Sequence, residues 1–203
     1  MKLLLTGFEP FGNQEINVSE KVVQAFEGKE FEGVELFTAV LPVDQFEGPD
    51  KLLRKVMNIQ PHVVICLGQA GGRHAISIEK VAINLLNFTI PDNGGNLAKD
   101  KPIQMDGHDG YFATLPTRQM VNSLKENGIP AELSYSAGAF LCNQIMYELL
   151  HHISKFNLST QGGFIHLPLL PEQTAQDSTV RPTMSLETIC KGIEQCILQT
   201  IPM

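Results

Sequence analysis

The chain has 203 residues, long enough to bury a substantial core and short enough that a single domain over 1–203 is expected. Hydrophobic residues make up 43% and charged residues 18%, ordinary values for a globular protein, while a formal net charge of -7 disfavours a polyanionic partner such as nucleic acid. No stretch approaches the roughly 18 uninterrupted apolar residues of a membrane span, and the opening Leu3-Leu4-Leu5 is cut at Thr6-Gly7, so neither membrane nor export is expected and a cytoplasmic location is.

Along the chain, residues 2–6 read as a strand that ends on Thr6-Gly7-Phe8-Glu9-Pro10-Phe11-Gly12, a turn-forming segment with two aromatic residues. Helical spacing follows over 19–26, then a strand over 34–40 and helical spacing around 52–58. Residues 62–67 contain Val63-Val64-Ile65-Cys66-Leu67, a buried strand leading into Gly68-Gln69-Ala70-Gly71-Gly72. That segment lacks both the Lys-Ser/Thr ending of a phosphate loop and the G-x-G-x-x-G order of a dinucleotide turn, so a tight turn is its simplest purpose. A strand over 76–85 precedes 91–110, rich in Gly, Asn and Asp and longer than an ordinary connection. Beyond lie a helix over 117–127, a strand over 131–136, a helix over 140–154, a strand over 163–166 and a helix over 185–200, with Ser19 and Ser185 as caps or first-turn residues. This alternation predicts an α/β sandwich with a largely parallel sheet and helices on both faces.

In open α/β sheets ligand groups gather at the carboxyl ends of strands, where four segments are expected to converge: Gly7 to Gly12, Gly68 to Gly72, Cys142 and His166. Cys142 falls in the first turn of a helix marked by Leu141, Ile145 and Leu149. Unpaired N–H groups and the helix dipole favour an anion there, so the expectation is a lowered thiol pKa and a nucleophilic thiolate. A buried structural cysteine is the competing reading. Cys66, Cys190 and Cys196 read as packing or surface residues, and with no C-x-x-C pair no disulfide is expected.

Of six histidines, His166 is the best candidate base, because it closes Gly163-Phe164-Ile165 just before Leu167-Pro168; a satisfied rim histidine is the alternative. His62, His108, His151 and His152 read as structural or solvated, the last two as cations suited to a helix end, and His74 is undecided. Glu79 stands in the otherwise apolar Ile76-Ser77-Ile78-Glu79-Lys80-Val81-Ala82-Ile83, where a carboxylate needs a partner. An imidazolium would serve; so would an ion pair with Lys80 or Arg73, or an edge position in solvent. With no C-x-x-C or H-x-x-x-H spacing, no metal is expected.

Several separated segments resemble the pyroglutamyl peptidase I family, the pyrrolidone-carboxylate peptidases, which are cysteine peptidases that remove an N-terminal pyroglutamyl residue. They are Thr6-Gly7-Phe8-Glu9-Pro10-Phe11-Gly12, Gly68-Gln69-Ala70-Gly71-Gly72-Arg73 running on through Glu79 to Asn84, Ile90-Pro91-Asp92-Asn93, Ser136-Ala137-Gly138-Ala139-Phe140-Leu141-Cys142-Asn143, and Gly162-Gly163-Phe164-Ile165-His166-Leu167-Pro168 with Pro171-Glu172-Gln173. The resemblance implies a three-layer α/β/α sandwich with a mostly parallel twisted central sheet, no metal or organic cofactor, and a cytosolic homo-oligomer, with a tetramer favoured. Its partners would be peptides with N-terminal pyroglutamate. It also implies that Cys142 is the nucleophile, His166 the base and Glu79 the carboxylate completing a triad, that Phe8 and Phe11 flank the pyroglutamyl ring, and that Gln69 contacts the lactam. Many family members carry an arginine just before Ile-Pro-Asp-Asn, where this chain has Thr89. If that arginine holds the oxyanion, its role here passes to backbone N–H groups, such as those near Cys142 at the helix start, or to another donor. A cysteine amidohydrolase acting on another small amide, and a non-catalytic binder of small ligands, are the competing functions.

Overall fold

A computed structural model describes residues 1–176 and 178–201. In chain order the elements are β1 (Lys2–Phe8), α1 (Val18–Phe26), β2 (Glu35–Leu41), α2 (Glu47–Ile59), β3 (Val63–Gln69), β4 (Ile76–Glu79), β5 (Val81–Ile83), β6 (Gly110–Phe112), α3 (Thr117–Glu126), β7 (Ala131–Ser134), α4 (Leu141–Lys155), β8 (Gln161–Leu167), α5 (Pro171–Thr174) and α6 (Leu186–Leu198). Six strands form one sheet in the order β2-β1-β3-β8-β4-β7, and β5 pairs with β6 in a separate two-stranded ribbon.

The period-two alternation of the central strands divides their side chains between two cores. Leu3 and Leu5 of β1, Ile65 and Leu67 of β3, and Ile165 and Leu167 of β8 pack with α1, α3 and α6. Leu4, Val64, Cys66 and Phe164 face the other way, towards Leu52 and Val56 of α2 and Leu141, Ile145 and Leu149 of α4. Helices therefore cover both faces of a mostly parallel sheet, as the alternation predicted. Close approach of α1 to β1 is possible because of Gly7, where a Cβ would stand 2.4 Å from the Ser19 carbonyl oxygen.

Three features depart from the sequence reading. The expected strand 76–85 is two strands: after Glu79 the chain leaves the main sheet, and Val81–Ile83 pairs antiparallel with Gly110–Phe112, inside and just beyond the stretch read as loop. Strands β1, β2, β3 and β8 are parallel, but β4 runs antiparallel to β8 and β7 is parallel to β4. Six residues link β3 to β4, fewer than the dozen or so a parallel crossover needs, which forces the reversal. Finally, α2 starts at Glu47, ahead of the expected 52, because Asp44 Oδ1 accepts the Phe46 and Glu47 N–H groups at 2.7 and 2.8 Å and Pro49 is tolerated in a first turn. Among the described residues no helix is long and apolar enough to cross a membrane.

Candidate active site

Sheet register brings the site together. His166 on β8 is paired with Gly68 on β3 on one side and with Ser77 on β4 on the other. Its side chain shares the α4 face with Phe164, two residues earlier, and the two rings lie 4.9 Å apart. Glu79, two residues beyond Ser77, is on the same face and a diagonal step from His166. A Cβ at Gly68 would stand 2.9 Å from Cys142 Sγ, so the thiol lies over the glycine that is paired with His166, and both side chains line the same cavity.

The four segments meet at one cavity, though not each of them beyond the end of its strand. Gly68 and Gln69 belong to β3 itself and His166 precedes the last residue of β8. Because β7 runs opposite to β3 and β8, Cys142 does not follow a strand that itself ends at this rim. Residues 135–140 carry the chain back across the sheet face to place it there.

Asn143 anchors the head of α4. Its fully buried amide accepts from Ile83 N–H at 2.9 Å and donates to the carbonyls of Ile83 and Leu85 at 2.9 and 3.1 Å. The first i→i−4 bond of the helix runs from Gln144 N–H to Phe140 O, so the N–H groups of Leu141, Cys142 and Asn143 precede the ladder.

Glu79 is fully buried and His166 nearly so, with Nδ1 2.7 Å from Glu79 Oε1. Arg73 donates to the same oxygen at 2.8 Å and to the Ser136 carbonyl at 3.1 Å, tying the carboxylate to the segment that leads to Cys142. The imidazole and Arg73 are thus both partners of Glu79, while Lys80 turns away over the Phe112 ring. Burial alone would raise the Glu79 carboxyl, but the hydrogen bond and charge of His166, with Ser134 and Arg73, hold it below the ordinary carboxylate value. Burial lowers His166 against the opposing pull of Glu79, so the ring is neutral at neutral pH. What then keeps Glu79 ionised is the Nδ1–H bond and the permanent charge of Arg73.

The expected thiolate is not favoured in the resting site. Burial and the negative charge of Glu79 push the Cys142 thiol up to about 12, with Arg73 and the backbone N–H of Cys142 opposing. Helix position is one contribution among several, and desolvation of the anion exceeds it.

Beside the thiol is a cavity of about 170 Å³ lined by Phe8, Phe11, Asn17, Val43, Gln69, Ala137, Phe140, Leu141, Cys142 and His166. Phe8 is buried, and Phe11 packs on Phe140 with ring centroids 6.2 Å apart. Phe140 in turn meets the edge of Phe88 at 4.6 Å. Gln69 points its amide here, its Oε1 accepting from Val18 N–H at 3.3 Å and from Gln173 Nε2 at 2.7 Å. The wall carrying Phe8 and Phe11 is braced from 91–110: Asn93 Nδ2 donates to Glu9 Oε1 and to the Pro10 carbonyl, both at 2.9 Å.

Thr89 is exposed and does not line the cavity. Asn17 and Phe140 do not stand out for the site by their spacing, although Phe140 adjoins the Cys142 helix, whereas Arg73 is one of the ion-pair partners the sequence offers Glu79. The remaining histidines lie elsewhere. His62 accepts the Lys2 N–H, His74 is exposed, and His108 and His151 pack on Tyr111. His151 and His152 are not helix-end cations at neutral pH, since burial lowers both. A larger groove of about 480 Å³ lies at the opposite rim, between His62, Thr160 and Phe156, away from Glu79 and Cys142. Among the described residues no group of three or more His, Cys, Asp or Glu side chains is placed to hold a metal ion.

Comparison with known proteins agrees over the full length. The pyroglutamyl peptidase family model matches residues 1–202. The pyrrolidone-carboxylate peptidase of Vibrio campbellii is 43% identical over 192 residues, 95% of this chain and 89% of the relative. That of Coprothermobacter proteolyticus is 43% identical over 193 residues, 95% and 93% of the two chains. Among solved structures, a mutant pyrrolidone carboxyl peptidase from Pyrococcus furiosus superposes with a TM-score of 0.95 at 39% identity, covering 98% of this chain and 97% of the other. The pyroglutamyl peptidase I of Bacillus amyloliquefaciens gives 0.93 at 39% identity, covering 98% and 95%. With the family model and these relatives spanning the chain, the protein belongs to the pyroglutamyl peptidase family.

Proposed function

We propose that this protein is a cysteine exopeptidase that hydrolyses the amide bond after an N-terminal pyroglutamyl residue, through Cys142, His166 and Glu79 and a thioester acyl-enzyme. The observation that carries the reading is the placement of Cys142 Sγ at the wall of an aromatic and amide-lined cavity, beside an imidazole whose Nδ1 is held by a buried carboxylate.

Nδ1–H donates to Glu79 Oε1, which leaves the lone pair of Nε2 as the proton acceptor. Thiol and imidazole are both neutral at rest, so the proton passes from Sγ to Nε2 as Sγ bonds to the pyroglutamyl carbonyl carbon. Glu79 stabilises the imidazolium that forms. Charge developing on the carbonyl oxygen is met by N–H groups at the head of α4, in the role for which Thr89 offers no arginine. When the adduct collapses, the C–N bond breaks and Nε2–H protonates the leaving amine. Water then attacks the thioester, giving one proton to Nε2; that proton returns to Sγ as pyroglutamate leaves.

Selection follows from the cavity. A pyroglutamyl ring is flat and uncharged, so Phe8, Phe11 and Phe140 can bury it, and Gln69 Nε2 is left to donate to its lactam carbonyl. An ordinary glutaminyl terminus would bring its ammonium into this apolar slot without a partner. The test is reporter release from a pyroglutamyl-aminocoumarin substrate in reducing buffer, with a prolyl analogue as control. Turnover confined to the pyroglutamyl substrate and absent from Cys142→Ala and Cys142→Ser is expected. Near-native activity in either variant, or none in folded, reduced wild type, would overturn the reading.

A further inference from the structure

Gln173 lies half-buried in the short helix α5, outside the cavity, yet its amide reaches a residue that lines it. Its Oε1 accepts from Leu170 N–H at 2.9 Å, and its Nε2 donates to the Ile16 carbonyl at 3.0 Å and to Gln69 Oε1 at 2.7 Å. A main-chain N–H can only donate and a main-chain carbonyl can only accept, so Leu170 and Ile16 fix which end of the Gln173 amide is nitrogen. That assignment propagates. Gln69 Oε1 receives one N–H from Gln173 and another from Val18, the first residue of α1, and both of its lone pairs are engaged. Only the donor end of Gln69 remains for the cavity it shares with Cys142 and His166.

We propose that Gln173 is a positioning residue that sets the donor polarity of Gln69, and through it the preference of the site for a five-membered ring bearing a carbonyl over the same ring without one. The inference rests on the pyroglutamyl reading above and names the residue that determines its selectivity. A buried donor with no acceptor opposite penalises a ligand lacking the lactam oxygen, which makes a fixed Gln69 a discriminator between pyroglutamyl and prolyl or cyclopentyl groups.

The experiment compares wild type, Gln173→Met and Gln173→Glu. Two readouts are taken: inhibition of reporter turnover by 2-pyrrolidone-5-carboxylate and by cyclopentanecarboxylate, and protection of Cys142 from iodoacetamide by the same two compounds. Gln173→Met keeps the length of the side chain and removes its hydrogen bonds. It is expected to raise KM for the pyroglutamyl reporter and Ki for 2-pyrrolidone-5-carboxylate about tenfold, the worth of one neutral hydrogen bond, while Ki for cyclopentanecarboxylate stays put. Gln173→Glu is isosteric and should be worse, because a carboxylate oxygen facing Gln69 Oε1 turns that amide over and presents an acceptor to the ring. In a Gln69→Ala background Gln173→Met should leave the ratio of the two inhibition constants unaltered. Constants that rise together, or a ratio unchanged in both single variants, would overturn the proposal. If wild type fails to turn over the reporter, the function falls instead, and the alkylation-protection ratio still decides the role of Gln173.

Discussion

Glu79 shows what a single residue discloses and what it conceals. A carboxylate inside an apolar run announces that a partner exists, and the partners it found, His166 and Arg73, were both among the readings open from sequence. Its orientation on the His166 face was hidden, because it depends on the register of β4 against a strand almost ninety positions later. Glu79→Gln should lower kcat roughly a hundredfold or more. Since Glu79 is what raises the imidazole against burial, the acid limb of the kcat/KM profile should also move to lower pH in the variant. An unchanged rate would remove Glu79 from the mechanism. Cys142 was legible as a nucleophile candidate but not in its charge: helix position suggested a thiolate, whereas burial and Glu79 favour the thiol. Gly68 has a function no periodicity reveals, for a Cβ there would meet Cys142 Sγ at 2.9 Å and the Phe164 ring at 2.6 Å. Gly68→Ala should cost about 1–3 kcal/mol by overpacking and displace the thiol from His166, a pairing of effects that urea unfolding and kcat together would detect. Loss of stability with full activity would contradict this view of Gly68.

Among the elements, α4 carries the proposed nucleophile, and its placement comes from outside its own sequence. Apolar spacing marked the helix within a residue at each end, yet its head is fixed by Asn143 gripping Ile83 and Leu85 in the strand-to-loop segment that the sequence reading ran into one long strand. The split at Lys80 is invisible to apolar patterning because β4 and β5 are both apolar and nearly contiguous; what separates them is pairing with different partners. Reversal of β4 is legible only in the shortness of the link after β3, since the alternation of strands and helices carries no sign of strand direction. Asn143→Ala strands the Ile83 N–H and the Leu85 carbonyl, while the Ile83 carbonyl keeps the Leu85 N–H, and should destabilise the fold by roughly 2–3 kcal/mol. It should also reduce kcat at temperatures where the variant remains folded, as circular dichroism and the reporter assay would show. Activity equal to wild type would mean that the helix head is held by other contacts.

At the scale of the molecule, the sandwich was the most legible feature, since two-sided burial leaves a pattern along every central strand. Stability should also follow its buried ionisable groups. His166 titrates below its ordinary 6.5 and Glu79 below 4.5, so as pH falls through these values the unfolded chain takes up protons that the folded one resists. Cys66 and Cys142, raised from 9.0 to about 12, do the reverse, and stability is lost as pH rises through that interval. The denaturant midpoint should therefore be highest between 6.5 and 9.0; a midpoint level into acid would contradict the burial of the His166 pair. The claim that ties fold to function is that Cys142 carries the acyl group. Rapid acid quench during turnover of a pyroglutamyl substrate, followed by mass spectrometry of the digest, tests it most directly. The account predicts one pyroglutamyl group on the peptide containing Cys142 and none on those containing Cys66, Cys190 or Cys196; turnover with the label on another residue, or full turnover by Cys142→Ala, would contradict it.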